Sequence, residues 1–154
     1  MKKDQSKIIR EQAPRSATRE HSVPLYLTSS FIFDSAEQGR AIFAEEEQGM
    51  VYSRYANPNT TEFINRVCAL EKADAGLAFA SGMAAVFASF ASYIKSGDHI
   101  VSSRAIFGST HQLITQLFPR WGVTYTYVET PNIEDWEKAI QPNTKIVFLE
   151  SPSN

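Results

Sequence analysis

The sequence predicts an α/β fold built on a mainly parallel sheet, and three observations predict it. From residue 76 onward, apolar runs of strand length alternate with segments of helical periodicity, in the order strand, helix, strand, helix, strand, helix, strand. The last of these runs, Lys145-Ile-Val-Phe-Leu149, is continuously apolar, as expected of a strand covered on both faces. And a small-residue turn, Ser81-Gly82, joins the first run to a long apolar-periodic helix, the joint around which such domains are organised.

Taken in order, residues 1 to about 23 are polar and mixed in charge, and predict an extended arm. Residues 24–33 change character. Leu25-Tyr26-Leu27 and Phe31-Ile32-Phe33 are too apolar to be left in water, so they are expected against the later domain or a partner subunit. Residues 35–48 read as a short helix ending at Gly49. Asn57-Pro58 predicts an extended or turn conformation, with Thr60 or Thr61 as the cap of the next helix. That helix carries Phe63, Ile64, Val67, Cys68 and Leu70 on one stripe, which makes Cys68 a buried, inert thiol.

Leu77-Ala-Phe79-Ala80 then reads as a buried strand. The helix from Gly82 to about Lys95 repeats Met83, Val86, Phe87, Phe90 and Ile94 at 3.6-residue spacing. Ser96-Gly97-Asp98 ends it. Residues 99–102 are a strand, a helix with Leu113, Ile114, Leu117 and Phe118 inward opens near Phe107-Gly108, and residues 123–128 are a β-branched and aromatic strand. Asn132 is the expected cap of the helix carrying Ile133, Trp136 and Ile140, with Glu134 and Asp135 at its positive end.

Composition bounds the function. The 154 residues suit one domain of ordinary size, 43% hydrophobic content is enough for a core, and 21% charged residues argue against disorder. A net charge of −2 gives no basic footprint for nucleic acid. One cysteine excludes an intrachain disulfide. The first residues lack the apolar core of a signal peptide, so a cytoplasmic protein is expected. His21 and His99 have no metal-ligand spacing with any Cys, His or acid, and no metal site is expected.

Candidate site residues follow from topology. In parallel sheets ligands gather outside the carboxyl ends of the strands. The turns at Ser81-Gly82, between Ser102 and Gly108, and from Ser151 to Asn154 all fall on that edge. Gly82 opens a helix whose first amides lack intrahelical acceptors, a seat for phosphate, although a turn that merely packs helix on sheet has the same composition, and Met83 reads as part of the apolar stripe. Phe107 and Asn154 are candidates by position; a core plug and a frayed end are the bland readings. Tyr52 and Arg54, two apart, face one side of an extended segment and suit a phosphate or carboxylate, as a surface loop with incidental polar residues also could. His111, one position before the apolar stripe, reads as an exposed helix residue.

Several stretches occur together and in order: Tyr52-Ser-Arg54…Asn57-Pro58, Phe79-Ala-Ser-Gly-Met-Ala-Ala85, Ser96-Gly-Asp-His-Ile-Val101, Ile106-Phe-Gly-Ser-Thr110, and Asn143-Thr-Lys…Phe148-Leu-Glu-Ser-Pro-Ser-Asn154. In this the chain resembles, from about residue 20, the Cys/Met-metabolism family of pyridoxal-phosphate enzymes. The resemblance implies the aspartate-aminotransferase-like fold (fold type I of these enzymes) and pyridoxal 5′-phosphate as cofactor. It implies residues 1–60 as an arm and partner-contacting segment, and residues 61–154 as the first part of the cofactor-binding α/β domain. It gives the amides of Gly82 and Met83 the cofactor phosphate, Tyr52 and Arg54 the phosphate of a neighbouring subunit in a homodimer or homotetramer, and Phe107 the face of the pyridine ring. Asn154 would reach the cofactor oxygen and the substrate carboxylate region.

Two departures refine this. Most of the family has Tyr where this chain has Phe107, and the Phe-Gly-Ser-Thr version is similar to the O-succinylhomoserine sulfhydrylase branch. A carboxylate leaving group needs little general acid, a thiolate more, which favours expulsion of succinate or acetate over release of a thiol. Moreover, the lysine that carries the cofactor in the family, and the small C-terminal domain, are expected beyond residue 154; Lys72, Lys95, Lys138 and Lys145 occupy none of its motif positions. The expected activity is γ-replacement on O-succinylhomoserine by sulfide to give homocysteine. The alternatives are cystathionine γ-synthase, O-acetylhomoserine sulfhydrylase or methionine γ-lyase chemistry, and, in a different class, a non-catalytic chain with a binding or structural role.

Overall fold

The structure is a computed structural model and describes residues 15–154 together with Ser6 and Ile9. Most of the first half of the expected arm therefore lies outside the described residues. The chain divides into two compact units, Met1–Ala78 and Phe79–Asn154.

In the first unit, α1 (Ala36–Phe43) starts at Ser35, whose side chain accepts from the N–H of Gln38 at 3.1 Å. Gly39 is buried against Phe33, where an added Cβ would sit 3.1 Å from the ring. Helix α2 (Pro58–Glu71) begins a turn earlier than expected. Asn57, not Thr60 or Thr61, is its cap: the Asn57 side chain accepts from Asn59 N at 2.9 Å, and Pro58 supplies a helical φ where no N–H is needed. Lys72, in the left-handed region at φ 56°, ends it.

The 24–33 stretch is tied down through its backbone. Asn59 accepts from Tyr26 N at 2.8 Å and donates to Pro24 O at 2.7 Å, while Ser30 bridges Tyr52 in antiparallel fashion. Tyr26, Phe31 and Phe33 are half-buried, but Leu25, Leu27 and Ile32 alternate outward and stay exposed. The stripe of α2 is likewise divided. Ile64 and Cys68 are half-buried, with Cys68 beside Gly76, whereas Phe63, Val67 and Leu70 are exposed. Cys68 is thus only partly covered, because the neighbours of α2 reach one side of the stripe.

The expected strand at 77–80 does not form. Leu77 is 84% exposed, and no strand among the described residues lies alongside to take its backbone hydrogen bonds. The second unit instead opens with α3 (Gly82–Ala91), capped by Ser81, whose Oγ accepts from Ala84 N at 3.2 Å. Next come β1 (His99–Ser103), α4 (Gly108–Gln112), β2 (Thr124–Val128), α5 (Ile133–Ala139) and β3 (Thr144–Phe148). The strands form a parallel sheet in the order β2-β1-β3. β1 is central, and its first four residues are fully buried.

One face of this sheet carries the core of the unit. Phe90 from α3, Ile100, Ile106, Ile114, Phe118 and Val123 are buried together. Phe118 stacks on both Phe87 and Phe90, and Phe148 of β3 lies 5.0 Å from Phe90. β3 departs from expectation. It is an edge strand with one face on this core: Ile146 and Phe148 point in, and Val147 is half exposed. Beyond α4 the helix widens into a π-helical stretch, Leu113–Leu117, then tightens to a 3₁₀ turn, Phe118–Trp121, ending at Gly122 in the left-handed region. Pro119, which has no N–H to give to the preceding turn, sits where the register changes. Asn132 occupies the cap position of α5 but makes no side-chain cap bond. Thr130 takes the role, accepting from Asn132 N and bonding Asp135.

Among the described residues no helix is long and apolar enough to cross a membrane.

Candidate functional site

The carboxyl edge of the sheet collects the candidates of the second unit. α3 leads into β1 through the turn at Gly97 and runs back along it, so its N-terminus opens on the edge where β1 ends. Around Gly82 an added Cβ would meet nothing within 4 Å. Ser81 satisfies the amide of Ala84 with its side chain and that of Ala85 with its carbonyl. The amides of Gly82 and Met83 have no acceptor among the described residues. Two free amides at the positive end of a ten-residue helix, with open space before them, fit a phosphate group. Met83 also lines an open groove of about 380 Å³ with Ser109 and Gln112, which brings the start of α3 beside the first turn of α4.

Phe107 lies between β1 and α4 and is 45% exposed, so it is not a core plug. Its backbone N–H donates to both carboxylate oxygens of Glu150, at 3.0 and 3.1 Å, which draws together the segments that follow β1 and β3. Asn154 is exposed, four residues beyond Glu150.

In the first unit Tyr52 and Arg54 do come together, though not on an extended strand. The chain turns at once, with Tyr55 N bonded to Tyr52 O at 2.9 Å. The Arg54 guanidinium lies 5.5 Å from the Tyr52 ring centre and 5.0 Å from that of Tyr55. Both rings and the guanidinium are exposed, so the cation is pre-positioned by its aromatic neighbours and remains open to an anion.

Several residues of the two units escaped the sequence reading. Glu150 is legible only as an acid after an apolar run; its partner is a backbone amide 43 residues away. Tyr55 reads as one more loop aromatic. His111 is half-buried rather than exposed, because its Nδ1 meets the Tyr127 hydroxyl at 2.8 Å and the two rings stack. Burial raises the Tyr127 phenol above its ordinary pKa, with Arg104 opposing that shift. His99 is buried at the opposite end of β1, between Thr144 Oγ1 at 2.8 Å and Thr126 Oγ1 at 3.0 Å, and burial holds it below the usual histidine range. Among the described residues no group of three or more His, Cys, Asp or Glu is arranged to hold a metal ion.

Comparison with known proteins identifies the relatives of this chain. The chain is 44% identical over 133 residues to an L-methionine gamma-lyase of Fusobacterium nucleatum, covering 86% of this chain and 34% of that protein. It is 44% identical over 146 residues to an O-succinylhomoserine sulfhydrylase of Pseudomonas aeruginosa, covering 95% of this chain and 36% of that one. The chain thus spans about a third of the length of these curated relatives. A crystal structure from Campylobacter jejuni, described as an O-acetylhomoserine (thiol)-lyase carrying a pyridoxyl-lysine-phosphate, superposes with a TM-score of 0.91 at 31% identity, over 98% of this chain and 37% of that one. The fold is therefore that of pyridoxal-phosphate enzymes, here as a partial α/β unit with a parallel sheet. With the family's sequence profile matching residues 5–154, the chain belongs to the Cys/Met metabolism PLP-dependent enzymes.

Proposed function

We propose that the chain forms the phosphate- and ring-binding part of an enzyme that replaces the γ-substituent of an activated homoserine ester. O-succinylhomoserine and hydrogen sulfide would give homocysteine and succinate. The observation that carries this reading is Phe107. It is an open aromatic ring on the carboxyl edge, backed by Glu150 through the main chain and without a hydroxyl to deliver a proton. Succinate leaves as a carboxylate and needs little general acid, so a phenyl ring suffices where a thiolate leaving group would call for more. Two relatives named O-succinylhomoserine sulfhydrylase, 44% and 41% identical, support the same choice. The 44% identity to a methionine gamma-lyase favours the second reading, release of a thiol from methionine.

Bound, pyridoxal phosphate supplies the electron sink for loss of the substrate Cα proton. The chain's own residues hold and orient. The amides of Gly82 and Met83 take the phosphate at the positive end of α3. The exposed face of Phe107 stacks on the pyridine ring. Tyr52 and Arg54 reach the phosphate of a neighbouring subunit in a homodimer or homotetramer, and Asn154 meets the cofactor oxygen and the substrate carboxylate. Residues 1–60 form the arm and partner-contacting segment, which gives the exposed Leu25, Leu27 and Ile32 a surface to cover them. Residues 61–154 begin the cofactor domain.

The test is a substrate panel on the full-length protein: succinyl and acetyl homoserine esters, each with sulfide or cysteine, alongside methionine alone. Homocysteine formation fastest from the succinyl ester and sulfide is expected. Methanethiol release from methionine as the fastest reaction overturns the first reading in favour of the second.

A further inference from the structure

We infer that Tyr127 is a positioning residue for Phe107, gripping both ends of the loop that presents the ring. The inference rests on the proposed stacking role of Phe107 and says how that ring is held. Arg104 stands three residues before Phe107 and His111 four after it, and both side chains converge on Tyr127 of β2. The Arg104 guanidinium lies 5.0 Å over the Tyr127 ring. The His111 ring stacks on Tyr127 at 5.6 Å and 30°, with its Nδ1 2.8 Å from the hydroxyl. The phenol keeps its proton at neutral pH, and its hydroxyl can donate to Nδ1 or accept from it according to the imidazole tautomer.

The backbone repeats the pattern. Arg104 N donates to Val128 O at 3.1 Å, next to Tyr127, and His111 N donates to Phe107 O at 3.0 Å. Between the two grips, Ile106 is 8% exposed and plugs the core, while Phe107 N is held by Glu150 from the β3 side. The loop is fixed from β2 at both ends and from β3 in the middle, and the Phe107 ring is left open. Among the described residues Arg104 makes no salt bridge, so its charge faces the ring rather than a carboxylate. A loop that only linked strand to helix would not need three side-chain anchors around one exposed aromatic.

Two variants of the full-length protein test this. Tyr127→Phe keeps the ring and removes the hydroxyl; Arg104→Met keeps the stem and removes the cation. Far-UV circular dichroism verifies that each folds. In the cofactor-free protein, amide hydrogen exchange over residues 105–111 should quicken about fivefold in Tyr127→Phe, the effect of one lost net hydrogen bond. The Kd for pyridoxal phosphate should rise by a similar factor, and the visible circular dichroism of the saturated holoprotein should change. Simple packing would move thermal stability and leave that visible signal alone. Unchanged exchange in both variants overturns the inference, as does faster exchange with wild-type Kd and visible signal. Phe107→Ala separates the two ways of failing. A normal Kd there removes the stacking reading and the inference with it. A weakened Kd there, beside normal values in Tyr127→Phe and Arg104→Met, removes the inference alone.

Discussion

The carboxylate of Glu150 holds the backbone N–H of Phe107, with both oxygens within 3.1 Å, so the residue that offers its ring to the carboxyl edge is anchored by its main chain and not by its side chain. Anchor and ring can therefore be varied separately.

Phe107→Tyr should leave the Glu150 contact and the stacking face intact, and cofactor affinity should stay within about twofold. Phe107→Ala removes the face and should weaken the cofactor by roughly 0.5–1.5 kcal/mol, the worth of an aromatic pair. The Tyr variant should also show raised γ-lyase activity toward methionine, since it restores a phenol beside the leaving group. Titration of the cofactor-free protein and a methanethiol assay read these out. Equal affinity of the Ala and Phe forms would reduce residue 107 to packing.

Arg54 sits against two tyrosine rings, at 5.5 and 5.0 Å, and among the described residues no carboxylate lies within ion-pair distance of it. Its proposed partner is a phosphate, and a charge-assisted bond of that kind contributes about 1.5–3 kcal/mol. Arg54→Ala should weaken cofactor retention by that amount and leave folding nearly untouched, because the side chain is exposed. Arg54→Lys should restore only part of it, the planar fork being lost. Cofactor binding that is indifferent to both changes would remove Arg54 from the site.

His99 makes stability depend on pH. Burial between Thr126 and Thr144 lowers its folded pKa below the unfolded value near 6.5, so the folded state holds the ring neutral. Above the unfolded pKa both states are neutral and the protein has its full stability. As pH falls below it, the unfolded state takes up the proton first, and stability declines until the lowered folded pKa is reached. Thermal midpoints should drop between pH 7 and 5, and His99→Gln should flatten that slope. An unchanged slope in His99→Gln would assign the pH dependence to other groups.

The second unit was legible where one period dominates. The repeat of α3 and the β-branched run of β2 need only their own residues to declare themselves. What failed depended on neighbours. Leu77–Phe79 has the composition of a strand, but a strand exists only with a partner, and none of the described strands lies beside it. β3 reads as covered on both faces, yet Val147 on its second face is half exposed, and among the described strands β3 is an edge strand beside β1. The start of α2 went to Asn57 because a side-chain carbonyl followed by proline outcompetes a later threonine. The six site candidates, Tyr52, Arg54, Gly82, Met83, Phe107 and Asn154, were read from motif and local spacing. Glu150, Arg104, His111 and Tyr127 were not, because what matters in each is a contact made across the sheet, and no local spacing encodes it.

Gly82 allows folding and binding to be separated at a single atom. It is the first residue of α3, its φ is not in the left-handed region, and a Cβ there would meet nothing within 4 Å. Nothing among the described residues calls for glycine at this place. Alanine is the better helix former, by about 0.8–1 kcal/mol in a helix interior and less in the first turn. Gly82→Ala should therefore fold at least as stably as the parent, with an equal or higher Tm in the cofactor-free protein. If the open space before the Gly82 and Met83 amides is the seat of the phosphate, the same methyl group occupies part of it. It would then hold the anion off the amides and raise the Kd for pyridoxal phosphate, and inorganic phosphate should compete more weakly for the site. A lowered Tm would show that the glycine serves the fold. An unaltered Kd together with an unaltered Tm would move the phosphate elsewhere on the carboxyl edge.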